Sequence, residues 1–298
     1  DSVANQTGAP VTLSPYGRIT RIGAPHVEGI YVLHEGLIGY LGDQQLQEIT
    51  YKDMDKAKSK AFKDVTGGGW VGMTDKYWAS AIIPDQNRSY SAAFGVTAAQ
   101  TPIYESAAVA GGMTIAPGTT GEATNRLFAG VKEVGVIDDY EKSQGIRKFE
   151  LMIDWGWFHF LTKPLFRIMD WINKSIGNFG VTILIVTVLI KLLFFPLANK
   201  SYRSMAMMKE AAPEMQAIKE RNPDDRVKQQ QEMMELYKKK KINPMAGCLP
   251  ILVQIPVFFS LYKVIYVTIE MRQAPFFGWI RDLSAPDPTS IFNLFGLL

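Results

Sequence analysis

One lysine, Lys191, interrupts an apolar run that extends from Val181 to Phe195. Thr187 precedes it by four residues, so on a helix the two side chains lie one turn apart on the same face. An ammonium group in such a run either extends its aliphatic stem to the aqueous interface or faces a hydrated cavity, where it attracts negative charge. Position alone leaves both interpretations open, and the neighbouring threonine favours the cavity. Gln254, in a second apolar run, is a further polar group, whose ordinary role is hydrogen bonding between helices.

The chain holds no other residues with the spacing of a catalytic or metal site. Its single cysteine, Cys248, excludes an intramolecular disulfide and a cysteine-based zinc site, and its apolar surroundings favour a buried, inert thiol. The three histidines, His26, His34 and His159, are scattered, without the spacing of metal ligands. The formal net charge of +3 is too small to indicate a nucleic-acid partner. The residue types therefore indicate neither covalent chemistry nor a metal site.

Two segments are long and apolar enough to cross a bilayer, which requires roughly 20 residues for a hydrocarbon core of about 30 Å. Residues 178–197 contain no carboxylate and predict the first transmembrane helix. Residues 244–269 predict a second one, which two prolines bend and in which Lys263 extends to the interface. Residues 270–288 then form an outer loop, and residues 289–298 begin a third span. Because the sequence does not begin with methionine and ends within this apolar run, we expect a fragment of a longer protein.

Residues 1–150 predict a β-sandwich, because short runs rich in β-branched and aromatic residues alternate with glycine and proline turns. The triple glycine at residues 67–69 marks one of these turns. A charged stretch, residues 52–63, is expected to form a surface loop or a short helix, and residues 131–144 a helix that closes the domain. The predicted strands are residues 17–22, 30–40, 46–51, 77–83, 89–97, 103–109 and 122–128.

Three aromatic residues in this half, Trp70, Tyr77 and Trp78, have flat rings of the kind that stack on sugars. Aromatic side chains at such spacings are more often part of a hydrophobic core, which is the interpretation we favour. A sugar-active enzyme anchored by its apolar second half would also need a pair of catalytic carboxylates in the β-domain. No convincing pair stands out in the sequence.

Residues 151–177 predict an amphipathic helix that lies in the membrane interface. Pro164 suits the first turn of a helix, and Trp155, Trp157 and Trp171 are typical of the interfacial region. An amphipathic helix packed on a soluble core is the alternative, and the span that follows directly favours the interface. The apolar face expected to enter the membrane consists of Leu165, Phe166, Ile168, Met169 and Ile172.

Residues 198–243 are polar and carry more basic than acidic side chains, which predicts a cytoplasmic location for a short connection between spans. Asn222 followed by Pro223 indicates a helix start with the asparagine as its N-cap. The segment is therefore expected to form a hairpin of two antiparallel helices. For its methionines, a seam between the two helices is preferred over an adaptable contact surface. These methionines are Met205, Met207, Met208, Met215, Met233 and Met234.

The second half of the chain closely resembles the YidC family of bacterial membrane protein insertases. The matching segments, in the family's order, are residues 177–180 (GNFG), 196–197 (PL), 230–237 (QQEMMELY), 241–254 (KINPMAGCLPILVQ), 272–276 (RQAPF) and 280–288 (IRDLSAPDP). The first half resembles, more weakly, the C-terminal part of the periplasmic domain of Gram-negative members, through residues 67–70 and 78–84. The expected fold is a polytopic α-helical membrane core with a cytoplasmic helical hairpin, preceded by a periplasmic all-β sandwich domain.

The resemblance implies an insertase and chaperone of the bacterial inner membrane, with no enzyme activity and no cofactor. In the family, five membrane helices enclose a polar groove, open to the cytoplasm and the lipid and closed on the outer side. A cation in the first core span attracts the acidic or polar tail of a substrate. Lys191 stands at the position of that cation, where the family usually has arginine, and Thr187 and Gln254 stand at groove-lining positions. The implied partners are nascent membrane proteins, the lipid bilayer, and the Sec translocon with its accessory subunits, with the ribosome as a further candidate.

A membrane transporter is the alternative function, because it would also place Lys191 and Gln254 at a site in the middle of the membrane. Transporters of this kind are usually built from two repeated halves. The sequence contains no internal repeat, which favours the insertase.

Overall fold

A computed structural model describes residues 1–25, 33–223, 225–240, 242–243, 247 and 249–284. Several predictions fall outside the described residues. They concern His26, the buried thiol of Cys248, the beginning of the strand predicted at residues 30–40, the end of the loop predicted at residues 270–288 and the third span. The chain divides into two compact units. The first comprises Asp1–Trp157 and Ile265–Arg272, and the second comprises Phe158–Val264 and the described part of Gln273–Leu298.

The first unit is an antiparallel β-sandwich, as the sequence predicted. One sheet has the strand order β3-β10-β9-β6 and the other the order β13-β8-β7-β4-β5, and two short pairs join β1 to β12 and β2 to β11. The strands are β1 Ser2–Ala4, β2 Val11–Leu13, β3 Tyr16–Ile22, β4 Gly36–Leu41, β5 Leu46–Thr50, β6 Ser59–Val65, β7 Gly69–Thr74, β8 Trp78–Ile83, β9 Tyr90–Thr97, β10 Ile103–Ala110, β11 Met113–Ile115, β12 Thr120–Glu122 and β13 Arg126–Val131.

The core of the sandwich lies between the four-stranded and the five-stranded sheet. It includes Leu37 and Val71 from the larger sheet and Phe94 and Tyr104 from the smaller one. Because the side chains of a strand alternate between its two faces, β9 contributes every second residue to this core, namely Tyr90, Ala92 and Phe94. The hydroxyl of the buried Ser106 donates to the carbonyl of Gly72 at 2.8 Å, which links the two sheets directly.

Strand β7 is central to the larger sheet, although the sequence patterns indicated only a turn at this place. Gly67 and Gly68 do form the turn, with φ of 80° and 75°, and Gly69 begins the strand. Gly72 must be a glycine, because a Cβ there would lie 2.8 Å from the Cα of Ala81 on the neighbouring strand β8. Turn glycines and strand glycines are adjacent in the sequence here, and only the pairing of the strands shows where the turn ends and the strand begins.

The charged stretch at residues 52–63 also differs from the prediction of a loop or helix alone. Helix α1, Tyr51–Ala57, begins at an N-cap formed by Thr50, whose hydroxyl oxygen accepts the amide hydrogen of Asp53 at 3.2 Å. The second part of the stretch is strand β6, which pairs with β9 at the edge of its sheet. An edge strand with one solvated face tolerates charged residues, so the charges did not indicate a strand.

Helix α2, Val134–Ser143, lies within the predicted closing helix, and a 3₁₀ turn follows at Phe149–Met152. The phenyl ring of Phe149 packs nearly perpendicular to the ring of Trp70, with ring centroids 5.7 Å apart. Trp70 is fully buried, and its indole N–H donates to the carbonyl of Lys148 at 3.3 Å. The interpretation of Trp70 as a core residue is therefore confirmed, whereas Trp78 is largely exposed.

We expect the first unit to lose stability as the pH falls below about 6.5, the ordinary pKa of histidine. Burial lowers the pKa of His34, whose imidazole contacts the Leu37 carbonyl at 3.1 Å and whose amide N–H donates to Asp154. The unfolded chain then binds a proton that the folded chain does not, so the free energy of unfolding decreases with falling pH until the folded pKa is reached.

Hydrogen exchange of the β4 amides at pH 7.5 and pH 5.5 measures this effect. The pH dependence should shrink in His34→Gln, which cannot titrate, and should persist in His159→Gln, since His159 is exposed. If the pH dependence of stability were equal in both variants, titratable groups other than His34 would cause it.

The second unit is helical. Its helices are α3 His159–Ile176, α4 Phe179–Glu210, α5 Ala212–Arg221, α6 Arg226–Lys239 and α7 Leu249–Val267, of which the last three residues belong to the first unit. Helices α4 and α7 are long and apolar enough to cross a membrane. Many of their large apolar side chains are exposed, including Leu184, Leu193 and Ile251, which distinguishes them from the core helices of a soluble protein.

Helix α3 turns a different face outward from the one predicted to enter the membrane. Leu165, Phe166, Met169 and Ile172 are buried, and of the predicted face only Ile168 is exposed. Helix α3 packs along α4, and an amphipathic helix that packs on the protein buries its most apolar face there. A second apolar surface of α3 remains exposed, formed by Phe160, Ile168 and Trp171.

The first span and the hairpin are joined by one continuous helix. Helix α4 continues past Pro196, where the sequence suggested an end, and reaches Glu210. Asn222 ends α5 and does not cap the next helix. The N-cap of α6 is Asp225, whose Oδ1 accepts the amide hydrogen of Lys228 at 2.9 Å. The prediction of Asn222 as an N-cap was therefore wrong, because asparagine also suits helix C-termini.

Helices α5 and α6 pack against each other as a hairpin. Ion pairs join Arg221 to Glu232 and Lys240 to Glu214.

The buried apolar side chains of the hairpin are Ile218 and Leu236. Met205, Met207 and Met234 are exposed, so the predicted methionine seam does not form at these three positions. An amphipathic pattern marks which residues are apolar, but the partner helix decides which of them are covered.

Candidate functional site

Lys191 lies in the apolar part of α4 with its side chain exposed. Leu184, Val188 and Phe195, which occupy the same stripe of the helix at three- and four-residue spacing, are also exposed. The opposite side of α4 carries the buried Thr182 and Val186. The described part of the chain therefore leaves the lysine-bearing face of α4 uncovered.

Thr187 shares the face of Lys191 and is partly buried at its edge. Its hydroxyl donates to the carbonyl of Ile183 at 2.7 Å, one turn earlier in the same helix. The hydroxyl oxygen remains able to accept a hydrogen bond from another group. The two residues thus form a short polar stripe on a helix face that is otherwise apolar.

Gln254 lies on α7 and is partly buried. Among the described residues, α7 does not pack closely along α4, so the structure brings Thr187 and Lys191 together but does not bring Gln254 to them. The ring of Phe259 on α7 contacts the ring of Phe158, with centroids 5.7 Å apart. The predicted three-residue site is therefore a pair on α4 and a separate amide on α7.

Lys263 is buried, with 2% of its surface exposed, and the expectation that it extends to the interface was wrong. Ser260 and Val264 are buried on the same side of α7. A lysine near the end of an apolar helix often extends to water, but the sequence does not tell which face of the helix is covered.

Two serines anchor the chain between the hairpin and α7 to helix α4. The hydroxyl of Ser201 donates to the carbonyl of Gly247 at 3.2 Å, and that of Ser204 to the carbonyl of Asn243 at 2.9 Å. Both serines are buried. Neither serine is recognisable from the sequence, because a serine within a long helix indicates no particular contact.

The start of α4 was part of the family resemblance, and the structure gives it a physical reason. Asn178 is the N-cap, and its side chain also contacts the outer loop. Gly180 lies directly beneath the ring of Phe276 from that loop.

The β-domain offers little for sugar chemistry. A surface groove of about 410 Å³ is lined by one carboxylate, Glu141, and by Gln86, Arg147 and other residues. The Glu141 carboxylate accepts the amide hydrogen of Glu150 at 2.7 Å, which makes it a structural group. Among the residues that the structure describes, no three His, Cys, Asp or Glu side chains are grouped to hold a metal ion.

Two family models match the chain. The model described as the 60Kd inner membrane protein matches residues 171–298, and the model of the YidC periplasmic domain matches residues 1–168. Among curated proteins, the membrane protein insertase YidC of Beijerinckia indica is 59% identical over 300 residues, and that of Brucella melitensis biotype 1 is 58% identical over 299 residues.

Each of these two matches covers 100% of this chain and 49% of the relative, so the chain spans about half the length of the curated relatives it matches. A solved structure described as an active YidC insertase with the first transmembrane domain resolved also matches. It covers 87% of this chain and 69% of its own, with 15% identity and a TM-score of 0.40.

Proposed function

The chain belongs to the YidC family of membrane protein insertases, and we propose that it inserts membrane proteins and helps them to fold through a polar, positively charged groove. The observation that carries this proposal is the position of Lys191. It is a cation within the apolar part of α4, on a face that the described chain leaves uncovered and that Thr187 makes more polar. Such a face can contribute to a groove when further helices pack beside it.

In this mechanism, the ammonium group of Lys191 attracts the acidic or polar outer tail of a substrate into the groove. The tail then has a thinner apolar barrier to cross, and the apolar span of the substrate moves sideways into the lipid. Lysine provides a compact point charge, whereas arginine would provide a bidentate fork. The attraction therefore depends on charge and hydration more than on a defined pairing geometry.

The partition of the substrate's apolar span supplies most of the driving force, at about 25 cal/mol per Å² of apolar surface removed from water. Gln254 supports the proposal as a second polar group in an apolar helix. Its amide would line the groove and hydrogen-bond to polar backbone groups of the passing tail.

The two family matches describe an inner membrane protein and a periplasmic domain, and the protein is accordingly a bacterial inner membrane protein with its β-domain in the periplasm. We assign the α5–α6 hairpin to the cytoplasm, because its excess of basic residues supports that side. The exposed aromatic surface of α3 supports a position of this helix at the periplasmic face of the inner membrane, in the interfacial region. Nascent membrane proteins are the substrates in this proposal, and the Sec translocon and the ribosome are its candidate partners.

Opposite locations of the hairpin and the β-domain give a direct test of this arrangement. Lys219 on α5 and Lys58 after α1 are both exposed, so a cysteine at either place is reachable by a membrane-impermeant thiol reagent. In a Cys248→Ser background, we expect Lys219→Cys to react in inverted inner-membrane vesicles. Lys58→Cys should react there only after detergent opens the vesicles. Reaction of both cysteines from one side would contradict the topology.

A further inference from the structure

The first turn of α4 is tied to residues 273–284 of the outer loop by one asparagine side chain. Asn178 Oδ1 accepts the amide hydrogen of Val181 at 3.0 Å and so caps the helix. Its Nδ2 donates to the carbonyl oxygen of Phe276 at 3.1 Å. The same side chain therefore satisfies a free N–H of the helix end and holds the backbone of the loop against it.

Gly180 provides the space in which the Phe276 ring lies. A Cβ at Gly180 would be 2.6 Å from Cγ and 2.9 Å from Cβ of Phe276, closer than real side chains approach. The backbone of Gly180 is not in the left-handed region, so its conformation does not demand glycine. Within helices, alanine is ordinarily favoured over glycine by about 0.5–1 kcal/mol. The contact with Phe276 is therefore the structural reason for glycine at this position.

The loop presents Phe276 in a defined conformation. The amide N–H of Phe276 donates to the carbonyl of Ile280 at 3.0 Å, which closes a tight turn around Gly278. At the base of the loop, Asp282 Oδ1 accepts the amide hydrogens of Gln273 at 3.0 Å and Ser284 at 2.8 Å. These bonds hold both ends of the loop together, so the position of the Phe276 ring is fixed by the loop itself as well as by α4.

From these contacts we propose that the outer loop is a latch and that Phe276, seated on Gly180, is the positioning residue for the outer end of α4. Gly180 lies on the same face of α4 as Lys191, so the seated ring covers the outer end of that face. The latch thereby holds the first turns of α4 closed, including the buried Thr182 on the opposite side. Lys191 lies eleven residues beyond Gly180, about 16 Å along the helix, so the latch also sets the depth of the cation. This consequence for insertion rests on the proposed function, whereas the closure of the outer end does not.

Thiol accessibility measures the closure without any substrate. Thr182→Cys, in the full-length protein with Cys248→Ser, places a thiol at a position that is 0% exposed. With the latch intact, an impermeant reagent added to the outer side should not react with this thiol. Phe276→Ala should raise the labelling rate on the order of tenfold or more, because the first turns of α4 open locally. Arg281→Ala, which changes an exposed side chain of the same loop, is the matched control and should leave the rate unchanged.

A double variant distinguishes the specific contact from a general weakening of the protein. Gly180→Ala alone should open the latch, because its methyl group displaces the ring. Gly180→Ala combined with Phe276→Ala should label no faster at position 182 than Phe276→Ala alone. If the Gly180→Ala protein does not accumulate in the membrane, the double variant should accumulate there again. The proposal is overturned if the two effects add in full, or if Phe276→Ala leaves the thiol at position 182 shielded. Increased labelling with unchanged insertion would support the latch and count against the proposed role of α4 in insertion.

Discussion

Lys191→Glu is expected to abolish the insertion of substrates with acidic outer tails, whereas Lys191→Arg should retain it. The reason is that the proposed role needs a positive charge on this face of α4 and does not need a particular hydrogen-bond geometry. Lys191→Ala should fall between them and should affect acidic tails more than neutral ones. The measurement is protease protection of the translocated tail, with matched substrates that differ only in tail charge.

The size of the effect follows from the electrostatics of a hydrated groove. Two unit charges about 5 Å apart at an effective dielectric near 20 attract each other by roughly 3 kcal/mol before the loss of their hydration is subtracted. Because 1.4 kcal/mol corresponds to about tenfold, Lys191→Ala should reduce the insertion of acidic tails by about one to two orders of magnitude. Insertion of neutral tails should change little, since partition of the apolar span drives it.

Lys200→Glu is a suitable control, because Lys200 is also an exposed lysine of α4 but lies beyond its apolar part. It should leave the preference between acidic and neutral tails unchanged. If Lys191→Ala inserts both kinds of tail equally well, then Lys191 only extends its ammonium group to the interface and does not attract the tail from a hydrated cavity.

Trp70→Ala is expected to destabilise the β-domain by about 3–5 kcal/mol, the usual cost of truncating a large buried aromatic side chain. Trp70 is 0% exposed, and it lies on the central strand β7. Its ring packs nearly perpendicular to that of Phe149, which in turn contacts Phe128 with ring centroids 5.4 Å apart. The substitution therefore removes one end of a row of contacting aromatic rings and leaves a cavity beside strand β7.

The free energy of opening, from hydrogen exchange of the β7 amides in the full protein, reports this loss. Trp78→Ala is the matched control, since Trp78 is 55% exposed and its removal should cost about 1 kcal/mol or less. A similar loss in both variants would mean that the packing around Trp70 contributes less than its burial indicates.

Much of the architecture follows from local patterns. The length and apolarity of α4 and α7, and the alternation of strands and turns before them, predict membrane helices and a β-sandwich without knowledge of any contact. Lys191 is identifiable for the same reason, because one charge in an apolar run needs no neighbour to be unusual. The family resemblance likewise rests on short segments in a fixed order.

Tertiary structure decided which face of each element is covered. The sequence predicted the apolar residues of α3 but placed them in the membrane, whereas four of the five pack on the protein itself. Met205 and Met234 stay exposed, and Lys263 is buried, although their sequence surroundings suggested the opposite. Periodicity shows that a face is apolar or polar, but its partner is chosen by distant parts of the chain.

Gly180 and strand β7 show the same limit for glycine. In the sequence, the glycines at residues 67–69 indicate a turn, and Gly180 stands out only as part of the family resemblance. Gly72 is required by the close approach of strand β8, and Gly180 by the ring of Phe276, nearly a hundred residues away. A glycine has no side chain whose type could indicate such a contact. The structural requirement for it is therefore recognised only when the positions of the neighbouring atoms are known.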